Sequence, residues 1–207
     1  MKQLLIVILI GLNLIACTQS AKEKRLKATA KRTEALNLYS RSLITMNLND
    51  SVIQQVIDLL DESIAIDEEY ALSYFSKAGM LSKLNKNEEG VNVLTSGLKA
   101  IKKDDVDLLT LRAILYERLG NDDLAKQDYT SLKQLFDKIL DKEPNSFYAL
   151  SNRAVIVSLD EDKEKGLAEL NKIDPNRLNE KESIQFRFLE KTLANDTRSE
   201  IIEKIDM

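Results

Sequence analysis

The chain has 207 residues, with 30 Lys or Arg, 34 Asp or Glu and no histidine, and its net charge is -4. The lack of histidine removes the commonest general base and metal ligand, and the acidic balance argues against a nucleic-acid-binding surface. Only two prolines and six glycines occur, and aromatic residues make up 5% of the chain, a composition typical of helical proteins rather than β-sheet proteins.

A short leader opens the sequence and ends at its only cysteine, Cys17. Lys2 supplies a positive charge, residues 4–15 are mostly apolar, and the small residue Ala16 directly precedes the cysteine. The apolar stretch is too short to span a bilayer, which needs about 20 residues. The pattern resembles the lipobox of bacterial lipoproteins. A core helix, or an ordinary secretory leader with a chance cysteine, is the alternative.

In lipoproteins the cysteine thiol carries a diacylglycerol and the leader is cut just before it. The resemblance therefore implies that residues 1–16 are a signal peptide and that Cys17 is lipidated, with no other cofactor. Thr18, rather than an aspartate, follows the cysteine, as in lipoproteins sent to the outer membrane of Gram-negative bacteria. We expect an envelope protein anchored by lipid and facing the periplasm. With its cysteine used in this way, the fold must depend on packing without a disulfide.

Residues 17–36 form a basic tether behind the anchor. Six basic residues and one acid lie between positions 22 and 32, and no glycine or proline occurs in 21–39, so the tether could be partly helical. The basic side chains could contact anionic lipid head groups, or they could belong to a solvated linker or helix start.

Small residues recur in pairs at a constant spacing further along the chain. The pairs are Ala78 with Gly90, Ala113 with Ala125 and Ala154 with Gly166, and Ile44 with Val56 is a degenerate fourth. Two antiparallel helices can approach closely only where their side chains are small, so each pair marks a predicted helix crossing.

This pattern resembles the tetratricopeptide repeat, a helix-turn-helix unit of about 34 residues, and residues 111–129 match it best. The resemblance implies an all-α, right-handed superhelical array of antiparallel helix pairs. A generic antiparallel bundle is the alternative. The register predicts repeats over 37–70, 71–105, 106–146 and 147–176, followed by capping helices over 177–207.

Two details follow from this register. The longer third repeat predicts about two additional turns on the helix from Asp122 to Lys142. In the capping region, Asn179 is expected to cap a helix through Leu193 that has Ile184, Phe188 and Leu189 on its apolar face.

The sequence contains no recognisable motif for catalysis, phosphate binding or metal binding. There is no glycine-rich phosphate loop, nucleophile elbow or calcium-loop spacing, and the acidic clusters at 122–123 and 160–162 fall where helix caps are expected. We expect no enzymatic activity and no metal site. The segment Asp50-Ser51-Val52 resembles a short O-glycosylation signal of some Gram-negative bacteria, and a role for Ser51 as the cap of the following helix explains the same residues.

In tetratricopeptide arrays the first helix of each pair lines a concave groove that binds a peptide or a partner helix. The register places toward this groove Leu38, Arg41, Thr45, Leu72, Phe75, Lys83, Asp107, Thr110, Glu117, Arg118, Tyr148, Ser151 and Val155. Phe75 and Tyr148 could stack on a partner or belong to the core between repeats, and Arg41 and Arg118 could pair with carboxylates. Asn152 lies near one position of the family's carboxylate clamp, but the other clamp positions do not match.

These features predict a membrane-anchored scaffold or adaptor that binds an envelope protein or peptide. The alternative is an immunity or inhibitor lipoprotein that caps a toxin or an envelope hydrolase. A small-molecule or glycan receptor is a third hypothesis, which the scarcity of groove aromatics disfavours.

Overall fold

The computed structural model describes the backbone of residues 2–205 and the side chains of residues 20–204. The helices are α1 Lys2–Ile44, α2 Asp50–Ile66, α3 Ala71–Lys83, α4 Asn87–Ile101, α5 Val106–Arg118, α6 Asp122–Leu140, α7 Phe147–Asp160, α8 Lys163–Leu170, α9 Glu180–Asn195 and α10 Arg198–Ile205, with a 3₁₀ turn at Pro175–Arg177. No strand occurs in the described part of the chain, and the predicted all-α class is confirmed.

Helices that are neighbours in sequence form the main contacts of the fold. α1 packs on α2, α3 on α4, α5 on α6 and α7 on α8, and the second helix of each of the first three pairs also packs on the first helix of the next pair. Contacts between α3 and α5 and between α7 and α9 align the first helices along one side. This order is that of a tandem array of the tetratricopeptide type, and it confirms the repeat architecture predicted from the sequence.

Small residues lie at the helix crossings in the second and fourth pairs. A Cβ placed on Gly90 would lie 3.5 Å from the Ala78 carbonyl oxygen, and one on Gly166 would lie 2.8 Å from the Ala154 carbonyl oxygen and 2.5 Å from the Ser158 Cβ. The predicted pairs Ala78–Gly90 and Ala154–Gly166 therefore meet at the crossings.

The sequence predicted that Ile44 and Val56 meet where the first two helices cross. This is wrong for Ile44, which is 82% exposed. Ala35 shares a buried cluster with Val56, and the Ser63 hydroxyl donates to the Ala28 carbonyl at 2.7 Å. The facing residues are farther apart in sequence because α1 runs on to Ile44 and a longer turn follows before α2. The close approach is consequently made by alanines in the segment that the sequence analysis assigned to the tether.

The insertion in the third repeat is divided between a helix and a loop. α6 has 19 residues and α4 has 15, so the second helix gains about one turn and not the predicted two. The rest of the insertion lies in the loop 141–146 before α7.

The turn before α2 is capped by Asn49, whose side chain accepts a hydrogen bond from the Val52 amide at 3.1 Å. The capping role considered for Ser51 is therefore wrong, because the helix begins one residue earlier, at Asp50. Ser51 lies exposed in the first turn of α2. Its glycosylation stays a prediction.

The capping helices begin close to where the sequence predicted. Asn179 caps α9 in a capping box with Glu182, as expected. The apolar face is different, because Ile184 and Phe188 are each 56% exposed while Phe186 and Leu193 are buried. α9 docks on α7 and α8 through those two residues.

The side chains of the leader and of Cys17 lie outside the described residues. Their predicted cleavage and lipidation stay predictions. Among the residues that are described, no helix is both long and apolar enough to cross a bilayer.

Replacing Gly166 by alanine is expected to lower the free energy of unfolding by about 1–3 kcal/mol, because the new methyl group would overpack the crossing with α7. The matched change is Gly79→Ala, which adds a methyl group where no atom lies within 4 Å and should stabilise the protein by about 0.5–1 kcal/mol through helix propensity. Chemical denaturation followed by circular dichroism measures both. Equal effects would contradict the packing at Gly166.

Candidate functional site

Two adjoining depressions run along α7 on the side formed by the first helices of the pairs. The larger, of about 460 Å³, lies between α7 and α9, and the smaller, of about 130 Å³, lies between α3, α5 and α7. Asn152 and Val155 line both. We call this continuous surface the C-terminal groove; its other lining residues are Phe75, Val106, Asp107, Thr110, Phe147, Tyr148, Ser151, Ile156, Asn179, Lys181, Glu182, Gln185, Phe188 and Leu189.

Exposed aromatic rings stand on the two walls of the larger depression. Tyr148 on α7 is 52% exposed and Phe188 on α9 is 56% exposed. The edge-to-face contact of Tyr148 with buried Phe136, with ring centroids 6.2 Å apart, fixes the tyrosine ring. The groove is therefore apolar, open and held in shape by the core beneath it.

The α5 end of the groove carries negative charge. Asp107 lies in the first turn of α5, and Asp105 caps that helix by accepting from the Leu108 amide. Burial, and then the charge of Asp105, raise the pKa of Asp107. Burial, and then the charges of Asp107 and Asp105, also raise the pKa of the Tyr148 hydroxyl. The two carboxylates therefore act electrostatically on this tyrosine.

Six of the predicted groove residues come together at this surface, and Asp107 and Val155 are among them. Phe75 and Thr110 line the smaller depression, and Tyr148 and Ser151 line the larger. Thr110 and Ser151 are only 8% and 5% exposed, so they form the floor. Phe75 also packs against the core cluster of α3 to α5, in agreement with the core hypothesis, and its stacking on a partner stays a prediction.

Three other predicted residues lie elsewhere. Arg41 lies on the N-terminal end of the array, beside Leu38 and Leu59. The Lys83 ammonium is 5.8 Å from the centre of the Tyr39 ring. Arg118 donates to the Ser82 hydroxyl at 2.5 Å and so joins α5 to α3.

Glu117 is covered by the C-terminal helix. Its carboxylate pairs with Arg198, the first residue of α10, and the Arg198 Nε donates to the Leu159 carbonyl at 3.0 Å. Burial, and then the Glu117 charge, raise the pKa of the Tyr129 hydroxyl beside this pair. Glu117 therefore fixes α10 onto α5 and α7 and is closed to a partner in this arrangement.

The basic segment 22–32 is largely used within the fold. Arg25 pairs with Asp67 and lies over the Tyr70 ring at 4.9 Å, and the Arg32 Nε donates to Ser76 at 2.9 Å. Lys31 pairs with Glu34 and Glu62, each at 3.0 Å. Three of the six basic residues thus attach α1 to α2 and α3, and the segment is helical, as one of the alternatives expected. Contact of the remaining basic side chains with lipid head groups stays a prediction.

Sequence reasoning missed the contribution of α9. Lys181, Gln185 and Phe188 form one wall of the larger depression, although the tetratricopeptide register ends before them. The capping signal at Asn179 located the helix, but its docking angle depends on the contacts of Phe186 and Leu193. Within residues 20–204, no group of three or more His, Cys, Asp or Glu is placed to hold a metal ion.

Comparisons with known proteins give structural neighbours only. No family model and no curated protein matches the sequence. YrrB, a tetratricopeptide repeat protein described as having an unusual peptide-binding site, is similar with a TM-score of 0.43 and 13% identity, over 91% of this chain and 89% of that one. A tetratricopeptide repeat protein from Parabacteroides merdae ATCC 43184 is similar with a TM-score of 0.41 and 15% identity, over 85% of this chain and 66% of that one. The fold assignment rests on the helix packing described above.

Replacing Arg198 by alanine is expected to lower the free energy of unfolding by about 1–2 kcal/mol, because Glu117 loses its partner while it stays largely buried. Lys165→Ala is the matched control, since Lys165 pairs with Glu161 and Asp162 at the exposed surface and should change stability by less than about 0.5 kcal/mol. Urea denaturation compares the two. The assigned role of Arg198 is wrong if both variants behave alike.

Proposed function

We propose that this protein is a binding scaffold, not an enzyme, and that it holds a polypeptide segment of a partner in the C-terminal groove. One observation carries the proposal: Tyr148 and Phe188 face the same depression from two helices and are each about half exposed. Aromatic side chains at such positions commonly supply much of the binding energy of an interface.

The proposed mode of binding follows from the groove lining. Apolar partner side chains would pack between Tyr148 and Phe188 and remove both rings from water, at about 25 cal/mol per Å² of apolar surface buried. Gln185 offers its amide group to the partner backbone, and Asn152, whose Nδ2 donates to the Tyr148 carbonyl oxygen at 2.8 Å, offers its Oδ1 as an acceptor. Because the groove is already shaped by α7 and α9, binding would cost little ordering of the protein itself.

The cellular setting is a further part of this proposal and rests on the sequence alone. A lipid on Cys17 would hold the array at the outer membrane, facing the periplasm, where the groove would meet envelope proteins at high effective concentration. More than one acyl chain is needed for stable anchoring, which the lipoprotein modification supplies.

Removing both aromatic side chains, in a Tyr148→Ala Phe188→Ala variant, should reduce capture of a defined partner at least tenfold, because interface aromatics contribute about 1–2 kcal/mol each or more. The measurement is crosslinking in intact cells that carry the tagged full chain, with quantitative identification of captured proteins. Ile184→Ala is the matched control, since Ile184 lies on the same helix with the same 56% exposure as Phe188 but outside the groove. A partner captured equally by all three chains would place the binding surface elsewhere.

Replacing Cys17 by alanine should abolish incorporation of an alkyne-labelled palmitate analogue and release the protein from the membrane fraction, because the thiol is the proposed attachment atom. Ser51→Ala serves as a control and should retain the lipid label. Lack of label on the wild-type chain, or label that persists without Cys17, would contradict the anchor.

A further inference from the structure

The α5 end of the C-terminal groove offers an acidic side chain that the fold itself does not use. Asp107 forms no ion pair with a described Lys or Arg. Arg112, on the same helix, is held by Asp128 through bonds of 2.8 and 2.7 Å. Asp105 points its carboxylate at the Leu108 amide, so Asp107 is the carboxylate of this turn that is available to a partner.

α10, the last described helix, covers the C-terminal end of α5. α10 contributes Arg198 to Glu117 and buries Ile201, which is 3% exposed. Its Lys204 ammonium lies 5.6 Å from the centre of the Phe188 ring, on the groove wall. A helix that combines basic and aliphatic residues thus already packs at the C-terminal end of α5, where it pairs with a glutamate and contacts a groove aromatic.

We infer that the partner segment in the C-terminal groove is basic and apolar, with a Lys or Arg that pairs with Asp107 and a neighbouring aliphatic or aromatic residue between Tyr148 and Phe188. This inference rests on the proposed function and adds the chemistry of the partner. Asp107 in the first turn of α5 lies beside apolar groove surface, much as Glu117 at the C-terminal end of the same helix lies beside the apolar contact of α10.

The charges around the groove disfavour an acidic partner. Asp105 and Asp107 lie at one end and Glu182 lies in the α9 wall. Of the two described cations near the groove, Lys181 lines it, and Lys204, which lies over Phe188, is paired with Asp196. A partner carboxylate or phosphate near Tyr148 would meet repulsion from Asp107, while a partner cation there would be stabilised. The desolvation that raises the pKa of Asp107 also strengthens its attraction to a paired cation.

The test is selection from a random 12-residue peptide display library against the full chain in detergent. We expect enriched peptides to combine a Lys or Arg with a nearby Leu, Ile, Phe or Tyr. Synthetic copies of these peptides should bind Asp107→Asn about tenfold more weakly than wild type, because the charge pair is lost. Asp123→Asn is the control, since Asp123 is also an exposed acid in the first turn of a helix but lies outside the groove, and it should bind like wild type.

A charge reversal separates recognition from a loss of folding. Selection against Asp107→Lys should replace basic residues by Asp or Glu in the enriched peptides while the apolar residue is kept. Enrichment of acidic peptides by the wild-type chain, or the same basic preference in Asp107→Lys, would overturn the inference. Peptides that bind without a basic residue but depend on Phe188 would overturn it and leave the proposed function intact, whereas a lack of any peptide that depends on Tyr148 or Phe188 would count against both.

Discussion

The close approach of paired helices through small side chains is the constraint on which the rest of the structure depends. A Cβ on Gly166 would meet the Ala154 carbonyl oxygen at 2.8 Å, and one on Gly90 would meet the Leu115 Cδ1 of α5 at 2.7 Å while contacting Ala78 at an ordinary distance. In the first pair, Ser63 fills the same role with a hydrogen bond to the Ala28 carbonyl. Glycine in a helix costs about 1 kcal/mol relative to alanine, and the packing that it permits offsets this cost.

The groove is a consequence of that packing. Because each pair contacts mainly its sequence neighbours, the first helices come to lie side by side and expose one face of each. Tyr148 is half exposed on this face although its edge contacts buried Phe136. The core therefore holds the groove aromatics in place and leaves their outer faces to a partner.

The two C-terminal helices act both as a cap and as part of the site. α9 buries Phe186 and Leu193 against the last repeat, and this docking turns Phe188 toward α7. α10 is fixed by Arg198 on Glu117, and its Lys204 lies over Phe188. A terminal cap is needed because a repeat alone leaves an apolar face in water, and here the capping helix α9 also supplies one wall of the groove.

The sequence by itself determined the helical class, the repeat register after residue 71, the cap at Asn179 and six lining residues of the groove, since these follow from local periodicity and the spacing of small residues. It misplaced Ile44, because the crossing of α1 with α2 depends on the length of both helices and of their turn. Only the tertiary structure decided that Glu117 is closed by Arg198, 81 residues away in sequence, and that Phe188 forms a wall of the groove. Such placements depend on the angle at which helices distant in sequence dock on each other, and no local sequence pattern encodes that docking angle.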